Sequence, residues 1–98
     1  MGLGHGPLGP AINLTLLTEE IPKNIFFHLP DLWWLDLSYN WLSGKLPISL
    51  FNYCNQLKIL YLFDNSFGGS IPRVIANLTQ LKEIFLCDNQ FQDTEKKQ

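Results

Sequence analysis

Cysteine is scarce in this chain: two residues in 98, too few for the disulfide framework that holds small secreted scaffolds together. Charge of one sign is missing as well. Seven basic and nine acidic residues leave a formal net charge of −2. That balance lacks the basic stripe of a nucleic-acid-binding domain and the acid excess of a solvating tail. No apolar run approaches the roughly 20 residues of a membrane span. The first ten residues, MGLGHGPLGP, contain no Lys or Arg and no long apolar stretch, so they do not read as a secretory leader. Gly6 stands where a myristoylation signal wants Ser or Thr. No gathering of His, Cys and acidic residues has metal-ligand spacing, no GxxxxGK[ST] phosphate loop occurs, and no Cys–His pair has an evident orienting partner. The expectation is therefore no enzyme, no metal and no cofactor. Apolar residues, by contrast, are plentiful. Leu, Ile, Val and Phe number 18, 8, 1 and 7, far above the level below which chains of this size stay unfolded.

Those apolar residues recur at a fixed interval. Leu32 to Leu42 reads LWWLDLSYNWL, Leu57 to Phe67 reads LKILYLFDNSF, and Leu81 to Phe91 reads LKEIFLCDNQF. The three Asn residues stand 65 − 40 = 25 and 89 − 65 = 24 apart. Ser43-Gly44-Lys45-Leu46-Pro47 follows the first copy and Gly68-Gly69-Ser70-Ile71-Pro72 the second, with Pro again 25 apart (72 − 47). Counting back by the same interval from Pro47 reaches Pro22. That count places Ile12 in the slot of Leu37, Leu17 in that of Leu42 and Thr15 in that of Asn40. A worn copy therefore precedes the three clear ones. Asp93 and Glu95-Lys96 end the pattern by replacing the Gly and the Ile-Pro. Leu35-Asp36-Leu37 alternates with the period of a strand, not with the i, i+3, i+4, i+7 spacing of a helix, and a self-similar period of this length marks a solenoid.

This pattern resembles the plant-specific leucine-rich repeat, LxxLxxLxLxxNxLxGxIPxxLxxL, found in ectodomains of plant receptor-like kinases and receptor-like proteins. The likeness runs from about Ile12 to Phe91 and is strongest from Leu29 onward. It implies an α/β-type repeat solenoid, right-handed and curved, with a short parallel sheet on the concave face and irregular or 3-10 segments on the convex face. The organisation read from the sequence is a flexible Gly/Pro-rich tail over 1–10, a degenerate copy over 11–28, repeats over about 29–53, 54–77 and 78–93, and a polar tail over 94–98.

The residue types fit that frame. Strands over Trp34 to Ser38, Ile59 to Phe63 and Glu83 to Cys87 would stack at roughly 4.8 Å, with Leu35, Leu37, Leu60, Leu62, Ile84 and Leu86 pointing inward. Asn40, Asn65 and Asn89 would sit where the chain leaves the sheet. There an amide can supply donors and an acceptor to backbone groups that lack partners. Gly44 and Gly69 suit a positive φ. Cys54 takes the slot of Leu29 and Leu78 and so reads as a buried apolar residue, whereas Cys87 faces outward; a disulfide between them is not expected. Asp64 and Asp88 read as solvated carboxylates, too few to hold a calcium ion.

The side chains alternating with the inward leucines define the candidate binding face: Trp34, Ile59 and Glu83; Asp36, Tyr61 and Phe85; Ser38, Phe63 and Cys87, flanked by Trp33 and Tyr39. Exposed aromatic patches mark interaction sites. Asn13-Leu14-Thr15 and Asn77-Leu78-Thr79 are N-glycosylation sequons. The resemblance implies a protein- or peptide-recognition module, as in immune or developmental receptors. Its partner would be a protein or peptide, a receptor kinase among the candidates, not nucleic acid and not the bilayer, and its setting extracellular or at the plasma membrane. Two alternatives stand beside it: a small inhibitor similar to polygalacturonase-inhibiting proteins, and a truncated product without an independent role.

Overall fold

Alternating apolar and polar residues become three short strands in the computed structural model, which describes residues 2–6, 9–13, 20–21 and 24–92. β3 (Trp34–Asp36), β5 (Ile59–Tyr61) and β7 (Glu83–Phe85) run parallel. Trp34 stands opposite Ile59, and Ile59 opposite Glu83. Regular pairing stops two residues earlier than the sequence pattern suggested. Single backbone bonds carry the ladder on, from Leu37 N to Tyr61 O at 2.9 Å, Tyr39 N to Phe63 O at 3.2 Å and Leu62 N to Phe85 O at 2.9 Å.

The inward side chains build the core. Leu35, Leu37, Leu60 and Leu62 are fully buried, with Leu32, Leu42, Leu57 and Phe67 in the layer behind them. Phe26, Leu50, Phe51, Cys54 and Leu78 close that layer from the convex side. Ile84, Leu86, Leu81 and Phe91 pack against the same core but are only partly buried, because β7 pairs only with β5 in the sheet. Burial of each side chain thus depends on having a repeat on both sides, the nearest-neighbour logic of a solenoid.

The convex segments are of two kinds. Ile25–His28 and Arg73–Asn77 are 3-10 turns, each closed by an i−3 bond, from Leu29 N to Phe26 O and from Leu78 N to Ile75 O. The middle segment, α1 (Ile48–Tyr53), is a short α-helix closed instead by Cys54 N to Leu50 O. The sequence implied irregular or 3-10 convex segments; two are 3-10 and the middle one is a single short α-helix. Pro47 and Pro72 stand immediately before their segments in extended conformation, where a missing N–H breaks no intrahelical bond.

A second, two-stranded sheet pairs β4 (Ser43–Gly44) with β6 (Ser66–Phe67). It is extended toward the last copy by Gln90 N to Phe67 O and Gln92 N to Gly69 O, both 2.8 Å. Gly44 and Gly69 leave this ladder at φ +82° and +69°, a region open to glycine and strained for most other residues.

The amino-terminal part departs most from the sequence reading. Residues 1–10 read as a flexible tail, yet β1 (Gly2–Gly6) and β2 (Gly9–Asn13) form an antiparallel pair, and β2 joins β3 in parallel to give a sheet of order β1-β2-β3-β5-β7. A backbone ladder needs only N–H and C=O groups, so a glycine-rich segment can supply it without a side-chain pattern. β1 covers a row of donors and acceptors that β2 would otherwise present at an open edge. The worn copy is also out of step with the count from Pro22. Ile12 stands opposite Leu35, not in the slot of Leu37, and the offset is 35 − 12 = 23 instead of 25. Thr15, Leu17, Pro22 and the 94–98 tail lie outside the described residues.

Candidate functional site

On the open face of the sheet, each strand presents the residues that alternate with its buried leucines. Trp34, Asp36, Ser38, Ile59, Tyr61 and Phe63 are half-buried by one another, while Glu83, Phe85 and Cys87 on the last strand are exposed. Four aromatic rings form one cluster. Tyr61 stacks on Phe85 with centroids 4.8 Å apart and planes 6° from parallel. Phe63 meets Tyr61 and Phe85 edge-on at 6.0 and 6.2 Å, and Tyr39 adds its edge to Phe63 at 5.1 Å. Such pairs contribute about 0.5–1.5 kcal/mol beyond area burial, so this shelf is held in shape before any partner arrives.

Polar groups fix its borders. The Tyr61 hydroxyl donates to Glu83 Oε1 at 2.5 Å. The hydrogen bond to Glu83, then partial burial, then the charges of Glu83 and Asp36 push the phenol above its usual value. Asp36 Oδ1 accepts from Ser38 N at 3.0 Å and Ser38 Oγ at 2.6 Å, which aims the carboxylate. Trp34 Nε1 is buried with no hydrogen-bond partner. Cys54 is buried and its thiol is pushed up to about 12 by desolvation, whereas Cys87 is exposed; both are free thiols.

Behind the shelf, Asn65 and Asn89 join the repeats. Asn65 Nδ2 donates to Leu37 O at 2.9 Å while its Oδ1 accepts from Leu42 N at 3.0 Å. One copy later, Asn89 Nδ2 donates to Leu62 O at 2.8 Å and its Oδ1 accepts from Phe67 N at 3.0 Å. Asn40 is buried and donates to Leu37 O at 2.8 Å. The residue before each Asn turns the chain through a left-handed conformation: Tyr39, Asp64 and Asp88 have φ of 58°, 61° and 58°. Asp tolerates this region and Tyr does so less readily, so these two aspartates have a backbone role that the sequence reading did not assign.

One exposed side chain, Trp41, escaped the sequence reading. Trp41 is 79% exposed and Tyr39 71%, and both line a shallow cavity of about 300 Å³ with Asn40, Asp64, Asn65 and Ser66. The available signal was its slot: Trp41 takes the variable position between Asn and Leu that Ser66 and Gln90 take later. Asn77 is exposed at the end of its 3-10 turn, and Asn13 lies within β2 opposite Asp36. Among the described residues, no three His, Cys, Asp or Glu side chains are grouped to hold a metal. No described helix is long and apolar enough to cross a membrane.

Comparison with known proteins agrees with this geometry. The Leucine Rich Repeat family model matches residues 31–53 and 56–78. Receptor-like protein 39 of Arabidopsis thaliana is 44% identical over 71 residues, which cover 71% of this chain and 8% of that protein. A plant peptide hormone receptor, RGFR1, solved in complex with RGF2, superposes with a TM-score of 0.75 at 31% identity, covering 95% of this chain and 18% of the receptor. A chain of the BIR3–SERK2 complex from Arabidopsis thaliana superposes with a TM-score of 0.70 at 38% identity, covering 76% of this chain and 39% of its own length. This chain therefore spans a small part of the relatives it matches. It is a leucine-rich-repeat solenoid, and it resembles part of the ectodomain of plant receptor-like proteins and LRR receptor kinases.

Proposed function

We propose that this chain recognises a protein or peptide partner through the open face of its sheet, with Tyr61, Phe63 and Phe85 at the centre and Trp34, Asp36, Ser38, Ile59, Glu83 and Cys87 around them. The observation that carries this reading is the ring cluster itself. Four aromatic side chains are locked against one another on the side of the sheet away from the buried leucines, with Tyr39 and Phe85 exposed. Interface energy concentrates in such rigid aromatic anchors. The likeness to a receptor solved with a peptide hormone supports a peptide or protein as the partner, and the choice of face rests on the general use of the concave surface by repeat solenoids. On this reading the chain serves cell-surface immune or developmental signalling, outside the cell or at the plasma membrane, and a receptor kinase is among its partners.

The test is selection of peptides from a random display library on the immobilised chain, followed by fluorescence anisotropy of the selected peptides. Replacing Tyr61 and Phe85 together by Ala should weaken binding at least tenfold, the equivalent of about 1.4 kcal/mol. Selected peptides that bind the double variant as tightly as the parent chain would place recognition elsewhere.

A further inference from the structure

The open face is acidic as well as aromatic, and its charges are segregated. Strand positions 34–38, 59–63 and 83–87 contain two carboxylates, Asp36 and Glu83, and no Lys or Arg. The residues just beyond them add Asp64 and Asp88. Lys58 and Lys82 precede β5 and β7 at the end where Glu83 stands, away from Asp64 and Asp88, and Lys58 Nζ donates to Gln80 Oε1 at 3.2 Å. Negative charge therefore gathers over the aromatic shelf and the strand ends.

The two central carboxylates are placed rather than loose. Asp36 and Tyr61 are direct partners across β3 and β5, and Tyr61 and Phe85 across β5 and β7. Glu83 reaches diagonally to the Tyr61 hydroxyl. Asp36 is aimed by two bonds from Ser38, both to Oδ1; among the described residues, no hydrogen bond engages Oδ2. The stacked pair of rings, on β5 and β7, thus has one anionic group beside it on β3 (Asp36) and another two residues earlier on β7 (Glu83).

Resting on the recognition reading above, we propose that this site takes an arginine side chain of the partner, seated over the Tyr61–Phe85 stack between Asp36 and Glu83, so that the partner segment is a basic, extended peptide. Arginine fits better than lysine for two reasons. A planar guanidinium stacks on an aromatic face, gaining cation–π attraction. Its fork of N–H donors can serve two carboxylates at once, which a point-charge ammonium on a flexible stem does less well.

The experiment uses the whole chain and the peptides selected from the random library. Three results are expected: enrichment of arginine in those peptides, affinity that falls as salt is raised, and a loss of about tenfold in the Asp36→Asn, Glu83→Gln double variant. Both replacements keep an oxygen acceptor for Ser38 and for Tyr61, so the fold and the shelf are preserved. Changing the peptide's arginine to lysine should also weaken binding. Selected peptides without basic residues, insensitive to the carboxylate changes but lost in the Tyr61→Ala, Phe85→Ala variant, overturn the arginine assignment and leave the recognition reading standing. Enrichment of no peptide by a chain that melts cooperatively overturns the recognition reading, and this assignment with it.

Discussion

Replacing Asn65 by Ala isolates what the inter-repeat amides contribute. Asn65 Nδ2 donates to Leu37 O at 2.9 Å and more weakly to Leu62 O at 3.2 Å and Phe63 O at 3.3 Å, while Oδ1 accepts from Leu42 N at 3.0 Å. The loss is not four equal bonds. Leu37 O still receives Asn40 Nδ2 at 2.8 Å, and Leu62 O still receives Asn89 Nδ2 at 2.8 Å, so neither carbonyl is orphaned. The N–H of Leu42, a fully buried residue, loses its acceptor. Leaving such a donor unmet costs about 1–3 kcal/mol, and the lost bond to Leu37 adds about 0.5–1.5 kcal/mol. The sum is about 1.5–4.5 kcal/mol, a large share of the roughly 5–15 kcal/mol that holds a domain together. For a chain of this size it corresponds to a Tm lowered by about 6–36 °C.

Urea and thermal unfolding followed by circular dichroism measure this directly. Asn55→Ala is the control: Asn55 is exposed in a turn and its replacement should change stability by less than about 0.5 kcal/mol. If Asn65→Ala is as mild as Asn55→Ala, the amides do not join the repeats energetically and the reasoning fails.

Other perturbations probe the same frame. A thiol reagent should modify Cys87 rapidly and Cys54 only on unfolding. Cys54 has a folded value of about 12 against an ordinary 9.0, so its contribution to stability is complete below pH 9 and is lost as pH rises from there towards 12; equal labelling rates for the two thiols would contradict the register. Alkaline difference absorbance should show Tyr61 ionising above an ordinary tyrosine, and Glu83→Ala should lower that value by removing both the hydrogen bond and the charge; an unchanged titration would mean that the Tyr61–Glu83 contact is not formed in solution. Trp34→Phe should leave stability within about 1 kcal/mol of the parent, because removing an unsatisfied donor offsets the lost ring area; a loss above about 3 kcal/mol would show that the indole N–H has a partner. Expression through a secretory pathway should add a glycan at exposed Asn77 that Asn77→Gln abolishes, and a homogeneous unmodified product would remove that assignment.

Much of this structure could be read from spacing, for a physical reason. Inward leucines and turn asparagines are constrained three times over, so Leu35, Leu60 and Ile84 or Asn40, Asn65 and Asn89 announce their places by recurring. Features that use backbone alone leave no such trace. β1 is a ladder of N–H and C=O groups in a glycine-rich segment, and composition there suggests looseness where pairing occurs. The register of the worn copy failed similarly. With no Asn to mark its turn, the count rested on Pro22, whereas pairing is set by which apolar side chain, Ile12, lies beside Leu35. The two aspartates before Asn65 and Asn89 were read by charge, yet their φ shows a turn requirement.

The binding face divides in the same way. Alternation was enough to list its side chains, because strand period fixes which residues share a surface. It could not supply their couplings, since Tyr61 meets Phe85 directly but Glu83 diagonally, two residues earlier on the next strand. That diagonal depends on the offset between copies. The Tyr61-to-Phe85 interval is 85 − 61 = 24, one less than the 25 separating Asp36 from Tyr61, so a missing residue on the convex side is absorbed there and the strand register survives. Because register, not repeat length, is what the core enforces, the concave side chains keep their neighbours while convex turns vary between 3-10 and α. An insertion of one residue between Pro72 and Leu78 should therefore leave the Tyr61–Glu83 contact intact, whereas one between Leu81 and Ile84 should destroy it.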